Sequence, residues 1–224
     1  MWAHPATAVQ VEDHWGQFAA RGDIGIDASG KAWEGFKQWA GEEVRVERML
    51  REGDEVEIPG GGSLRVLHCP GHERGLVTLH DAERKLAFCG DLVQGGYNCS
   101  ANWLGLIPDP VRQRRSLKRL RALGLDRLFK GHRAPVDGDL VARDIEAALV
   151  RLDRIREAVL ESLRERSPET LAELTRKVFL KVLEMEKNDS PPYALKTVGG
   201  FLAELSRAGR AARAADLTWS IAEG

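Results

Sequence analysis

The chain is poor in cysteine: Cys69, Cys89 and Cys99 are the only three, and no two form a Cys-x-x-Cys pair. An odd number without paired spacing argues against a disulfide framework and fits small buried residues in a reducing, cytoplasmic setting. A dominant charge is also missing. The formal net charge is −1, which removes any whole-chain electrostatic case for nucleic acid or a membrane surface. No apolar run approaches the roughly 18 residues of a membrane helix. The opening Met1-Trp2-Ala3-His4-Pro5 lacks both the basic and the apolar region of a secretory signal. Internal repeats and low-complexity tracts are absent as well. What is present is 43% hydrophobic content over 224 residues, enough core for one or two domains.

Along the chain the patterning changes three times. In residues 1–50 the aromatics Trp15, Phe18, Trp33, Phe36 and Trp39 recur at helical spacing and predict helices that pack these rings. Asp23 to Gly30 reads as a turn-rich loop. From 51 to 92 the pattern is β. Asp54 to Ile58 alternates, Pro59-Gly60-Gly61-Gly62 turns, and Leu64–Leu67, Leu76–Leu79 and Lys85–Cys89 read as strands. His80 to Arg84 makes a hairpin loop. Residues 93–109 form a long Gly- and Asn-containing stretch, the kind of loop that is often functional. Pro110 opens a helix with Val111, Leu117, Leu120 and Leu123 inward, and Gly124 stops it. Leu125–Phe129 is a short strand.

Beyond about residue 139 the pattern is helical. Ile145, Leu149, Leu152, Ile155, Val159 and Leu163 form one stripe from Asp139 to Arg166. Ser167-Pro168 reads as N-cap and first residue of a second helix running to about Lys187. Pro191-Pro192 starts a third, ending near Gly209, and strand-like material follows from Ala211 to Ile221. Three helices and a small hairpin outline a winged helix.

The chemistry gathers at strand ends. His72 follows Leu64–Leu67 in Cys69-Pro70-Gly71-His72, Asp91 follows Phe88-Cys89-Gly90, and His132 follows Phe129-Lys130-Gly131. Each has a Gly nearby that lets the backbone turn sharply and approach a ligand. Two imidazoles and a carboxylate are a donor set for a borderline metal such as zinc.

Pro70-Gly71-His72, Phe88-Cys89-Gly90-Asp91 and Gly131-His132 together resemble the third, fourth and fifth motifs of the metallo-β-lactamase-fold hydrolases. The resemblance covers residues 50–140 well and 1–50 loosely. From about 141 the chain is similar to the winged-helix domain of a branch that includes endoribonuclease-like members. The implied fold is α+β: a metallo-β-lactamase domain of αββα type over 1–140, N-terminally incomplete, then an α-rich winged-helix domain over 141–224. The family's His-x-His-x-Asp-His motif is absent. The remaining histidines are His4, His14, His68 and His80, and Asp13-His14 is a bare pair. The chain therefore resembles a family member without its first portion, which a late start of the reading frame would explain.

Carried over, the resemblance makes His72, Asp91 and His132 zinc ligands in two sites, with Asp91 bridging them and acting in catalysis. The implied reaction is hydrolysis of a small-molecule thioester, ester or phosphodiester by metal-activated water. Tyr97, Asn98 and Asn102 are the expected substrate contacts. Three ligands for two ions imply low occupancy and weak or absent activity, and an uncovered sheet edge implies a homo-oligomer. The alternative is a non-catalytic module that binds RNA or a protein partner through the winged helix. Against RNA stands the charge balance of residues 143–224, with 14 basic and 14 acidic side chains. The basic run Arg112 to Arg121 reads as a solvated helix face.

Overall fold

A computed structural model describes residues 1–19, 30–95, 104–184 and 191–222. Its centre is a six-stranded sheet built from β3 (Glu55–Glu57), β4 (Ser63–His68), β5 (Val77–Asp81), β6 (Leu86–Phe88), β7 (Arg127–Phe129) and β8 (Val136–Asp137), in that spatial order. Pairing is antiparallel throughout except for β6 with β7, which is parallel. A parallel pair needs a crossover connection, and here it carries helix α4 (Pro110–Ala122). Two reversals through β5 give β4 the direction of β6, and the crossover gives β7 the same direction. The ends of β4, β6 and β7 therefore leave the sheet on one side.

One sheet face carries Leu67, Cys69, Ala87, Cys89 and Leu128. These pack into a single apolar cluster with Leu117 and Leu120 of α4 and with the C-terminal helices. The expected inward stripe of α4 is rotated. Leu117 and Leu120 are buried, but Val111 and Leu123 are only partly so, and Gln113 and Ser116 turn inward. The physical reason is polar. Gln113 Nε2 donates to Leu92 O at 2.7 Å and Ser116 Oγ to Pro70 O at 2.8 Å, so each donor is buried against an acceptor, while Gln113 Oε1 is buried without a partner. The opposite sheet face places Leu79, Phe88 and Phe129 side by side, with the two rings stacked at 4.5 Å. Phe88 is 40% exposed.

The first 50 residues supply β1 (Trp2–Ala3), α1 (Pro5–Glu12), α2 (His14–Ala19), α3 (Gly30–Ala40) and β2 (Arg48–Met49), with β1 and β2 paired in parallel. The expected aromatic packing is present where it is described: Trp15 meets Trp33 edge-on at 5.1 Å, and Trp33 stacks on Phe36 at 5.7 Å. The side chains of Phe18 and Trp39, and the loop expected from Asp23, lie outside the described residues. β5 runs on to Asp81, past the expected end at Leu79. Asp81 then closes the turn by accepting from Arg84 N at 2.9 Å.

The C-terminal part is α5 (Asp139–Glu165), α6 (Leu171–Leu183) and α7 (Pro192–Arg207), then a hairpin of β9 (Ala211–Arg213) and β10 (Trp219–Ile221). All six residues of the expected α5 stripe are buried. The start of α6 differs from expectation. Thr170, not Ser167, is its N-cap, in a capping box with Glu173. Ser167 instead donates back to Leu163 O at 2.5 Å, so it closes the preceding helix. α6 stops at Leu183, with Glu184 left-handed at φ 55°, and the expected end near Lys187 lies outside the described residues. No helix among the described residues is long and apolar enough to cross a membrane.

One buried ion pair ties the sheet to α5. Lys130 Nζ donates to Asp144, with side chains 4% and 1% exposed. Removing one partner leaves an uncompensated buried charge. Asp144→Ala is expected to cost about 3–5 kcal/mol in urea unfolding, and Lys130→Met with Asp144→Leu to recover most of it. A loss below about 1 kcal/mol for the single variant would mean the pair is not held from water.

Candidate functional site

The shared direction of β4, β6 and β7 brings His72, Asp91 and His132 together. His132 Nε2 lies 3.2 Å and His72 Nε2 3.5 Å from the same Oδ2 of Asp91. The glycines explain how. Gly71 has φ +149°, and a Cβ there would stand 2.4 Å from Gln113 Cα, so only Gly lets the Pro-Gly-His turn lie against α4. A Cβ on Gly131 would stand 2.3 Å from Asp91 Oδ1. Gly131 N donates to Gly90 O at 3.0 Å, which extends the β6–β7 contact to the segments holding Asp91 and His132.

His72 is held from behind. Its Nδ1 lies 2.9 Å from Leu106 O. A carbonyl can only accept, so in the tautomer that makes this bond the proton of the neutral ring is on Nδ1 and the Nε2 lone pair faces Asp91, with the Gln94 amide N–H beside Nδ1 turned to the same carbonyl. A lone pair facing a carboxylate oxygen is an arrangement that a cation relieves, and this is how metal-ligating histidines are usually set. His132 has a 76% exposed side chain and meets Asp91 from the solvent side. The donor types and their direction fit a carboxylate flanked by two metal-binding imidazoles. Among the described residues, however, no three His, Cys, Asp or Glu side chains form a closed ion-binding group.

A cleft at this point is lined by His72, Asp91, Gln94, Leu106, His132 and Tyr193. Tyr193 comes from the first turn of α7, so the C-terminal helices contribute a wall. Sequence reasoning missed Gln94, Leu106 and Tyr193. Gln94 had one usable signal, its place three residues after Asp91 in a Gly-flanked stretch. Tyr193 had none beyond opening a helix. Tyr97, Asn98 and Asn102 lie outside the described residues. The basic run on α4 is largely paired: Arg112 with Asp109, Arg114 with Asp153, Arg119 with Glu52 and Arg121 with Glu146. That pairing agrees with a solvated face.

The Metallo-beta-lactamase superfamily profile matches residues 3–132, more than half of the chain. The chain belongs to the metallo-β-lactamase superfamily. Among curated superfamily relatives it is 39% identical over 92 residues to the acyl-coenzyme A thioesterase MBLAC2 of Gallus gallus, covering 40% of this chain and 32% of that protein. The human acyl-coenzyme A thioesterase MBLAC2 is 35% identical over 102 residues, covering 42% and 36%. The match thus spans about a third of these relatives' length. A metallo-beta-lactamase family protein from Thermus thermophilus superposes with a TM-score of 0.73 at 22% identity, over 99% of this chain and 71% of that one. A beta-lactamase domain protein from Burkholderia ambifaria gives 0.66 at 20%, over 99% and 64%. These two likenesses extend the shared fold through the C-terminal helices.

Charge also braces the turn that leads to His72. Glu52 accepts from Arg119 at 2.6 and 2.9 Å and from His68 N at 2.7 Å. The Arg119 hydrogen bonds, with a smaller share from the His68 amide, pull its carboxyl from 4.5 down to about 2. A depressed acid contributes stability above its unfolded value and loses it as pH falls through its folded value. Stability is therefore expected to drop between about pH 4.5 and 2, and Glu52→Gln to flatten that part of the profile in thermal melts. An unchanged profile would exclude the pair as a source. Cys69 and Cys89 behave oppositely. Burial pushes the Cys89 thiol up to about 12 and raises that of Cys69. Neither is expected to react with a maleimide in the native state at pH 8, as read by peptide mass mapping, and both should react after denaturation.

Proposed function

We propose that the chain is a metal-dependent thioester hydrolase, with His72, Asp91 and His132 as ligands of bound zinc. The observation that carries this reading is the meeting of two imidazoles on one Asp91 oxygen at the ends of three like-directed strands. Thioester as the substrate class is supported by the relatives named acyl-coenzyme A thioesterase. A bound zinc supplies Lewis acidity, which lowers the pKa of a water and polarises an acyl oxygen. The chain's own groups do the rest. Asp91 holds its carboxylate between the two imidazoles. His72 is fixed by its bond to Leu106 O. Tyr193 and Leu106 wall the cleft, where the Tyr193 phenol can donate to an acyl oxygen.

Two structural readings belong with this proposal. Residues 1–140 and 141–224 are taken as a catalytic domain and a winged-helix domain that share one apolar core. The Leu79, Phe88 and Phe129 face is taken as the surface through which copies associate, since it stacks an exposed Phe88 on a half-buried Phe129, and an exposed ring on a sheet favours burial.

The test is thiol release from an acyl-coenzyme A thioester, followed with a chromogenic thiol reagent. Zinc is kept in excess, because a site short of donors binds weakly. The expected result is zinc-dependent release that falls by roughly 100-fold or more in Asp91→Ala and in His72→Ala. Release that is absent with zinc, or unchanged in both variants, would overturn the reading.

A further inference from the structure

We propose that Gln94 is the positioning residue for His72, and that α5 and α7 hold Gln94 and its partner Leu106 in place. The inference rests on the reading of His72 as a metal ligand. Gln94 is 7% exposed, and both ends of its amide are bonded. Leu106 N donates to Gln94 Oε1 at 3.0 Å, and Gln94 Nε2 donates to Leu106 O at 2.9 Å. These two bonds hold the two peptide units that meet at Leu106, 105–106 through its N–H and 106–107 through its carbonyl, and fix which end of the amide is nitrogen. Leu106 O is also the acceptor for His72 Nδ1, and Gln94 Nε2, the other donor to that carbonyl, stands beside the same ring nitrogen, so the two N–H groups converge on Leu106 O. The carbonyl that sets the His72 tautomer is therefore aimed by Gln94.

The clamp has backing on both sides. Arg151 of α5, 6% exposed, donates through Nη1 to Gln94 O. Thr197 of α7, fully buried, donates to Gly105 O at 2.8 Å and accepts from Ile107 N at 3.0 Å, so it grips the two residues flanking Leu106. Helix α7 reaches this close because Gly200 faces Pro108 O, where a Cβ would stand at 2.4 Å. Without Gln94, Leu106 N loses its acceptor and Leu106 O one of its two side-chain donors, so the peptide that carries this carbonyl is held by Thr197 at Ile107 N alone. The acceptor at Nδ1 is then less tightly aimed, and the tautomer that donates from Nε2 to Asp91 becomes available. That tautomer carries a proton where a metal would bind.

The experiment uses the full chain with ¹⁵N-labelled histidine. The ring nitrogens of His72 report its tautomer in the metal-free protein, and competition with a chromophoric chelator reports the zinc dissociation constant. Wild type is expected to hold the proton on Nδ1. Gln94→Leu is expected to populate the Nε2-protonated ring and to weaken zinc by about 10–100-fold. Thr197→Val should shift both readouts the same way, and Thr197→Ser, which keeps the hydroxyl, should restore them. This second pair decides the matter if Gln94→Leu does not fold. A merely structural contact would lower the melting temperature and leave the tautomer and the zinc constant of the folded protein unmoved. That result in Gln94→Leu, or in Thr197→Val where the first does not fold, would overturn the proposal. A wild-type chain that binds no zinc would instead remove the metal reading, while the tautomer comparison would still judge Gln94.

Discussion

The site depends on β4, β6 and β7 running the same way. Their ends carry His72, Asp91 and His132, and the three meet only because all leave the sheet on one side. For β4 that direction costs a full return strand, β5. For β7 it costs a crossover long enough to hold α4. A plain hairpin from β6 to β7 would reverse β7 and send His132 to the opposite side of the sheet. The crossover has a second use: α4 presents Ser116 and Gln113, which hold the backbone at Pro70 and Leu92, close in the chain to His72 and Asp91.

The C-terminal helices belong to the same construction. The apolar cluster that begins at Leu67 and Cys69 continues without a break through α5, α6 and α7. Three buried polar groups of those helices have partners at or beside the site segments: Asp144 for Lys130, Arg151 for Gln94 O, and Thr197 for Gly105 and Ile107. Buried polar groups left unpaired are expensive, and satisfied networks make one arrangement far better than its neighbours. The histidine facing Asp91 from the cleft wall is thus oriented by bonds that span most of the chain. The exposed His132 relies on its backbone segment, which the Gly131–Gly90 bond holds.

Much of this is legible in the amino-acid pattern. The alternation of Glu55–Glu57, the stripe from Ile145 to Leu163 and the Pro-initiated α4 and α7 are readable because their periods are local. So is the placement of His72, Asp91 and His132 after strands. The start of α6 is not, because Ser167-Pro168 and Thr170 both look like helix starts. Only the reciprocal bonds of Thr170 with Glu173 separate them. Polarity places Gln113 and Ser116 outward, although their partners Leu92 O and Pro70 O make burial favourable.

The amino-acid sequence by itself determined the chemical types available, two imidazoles and a carboxylate beside permissive glycines. It also determined the strands and helices that carry them, since backbone preference and hydrophobic period act over a few residues. Tertiary structure alone decided that those three ends share one side of the sheet, that Leu106 O lies at His72 Nδ1, that Gln94 and Tyr193 stand at the cleft, and that Thr197 holds the segment behind it. Gly105 and Thr197 are 92 residues apart in the chain yet 2.8 Å apart in space. Contacts of that kind follow from how packed elements cross, which no local pattern records.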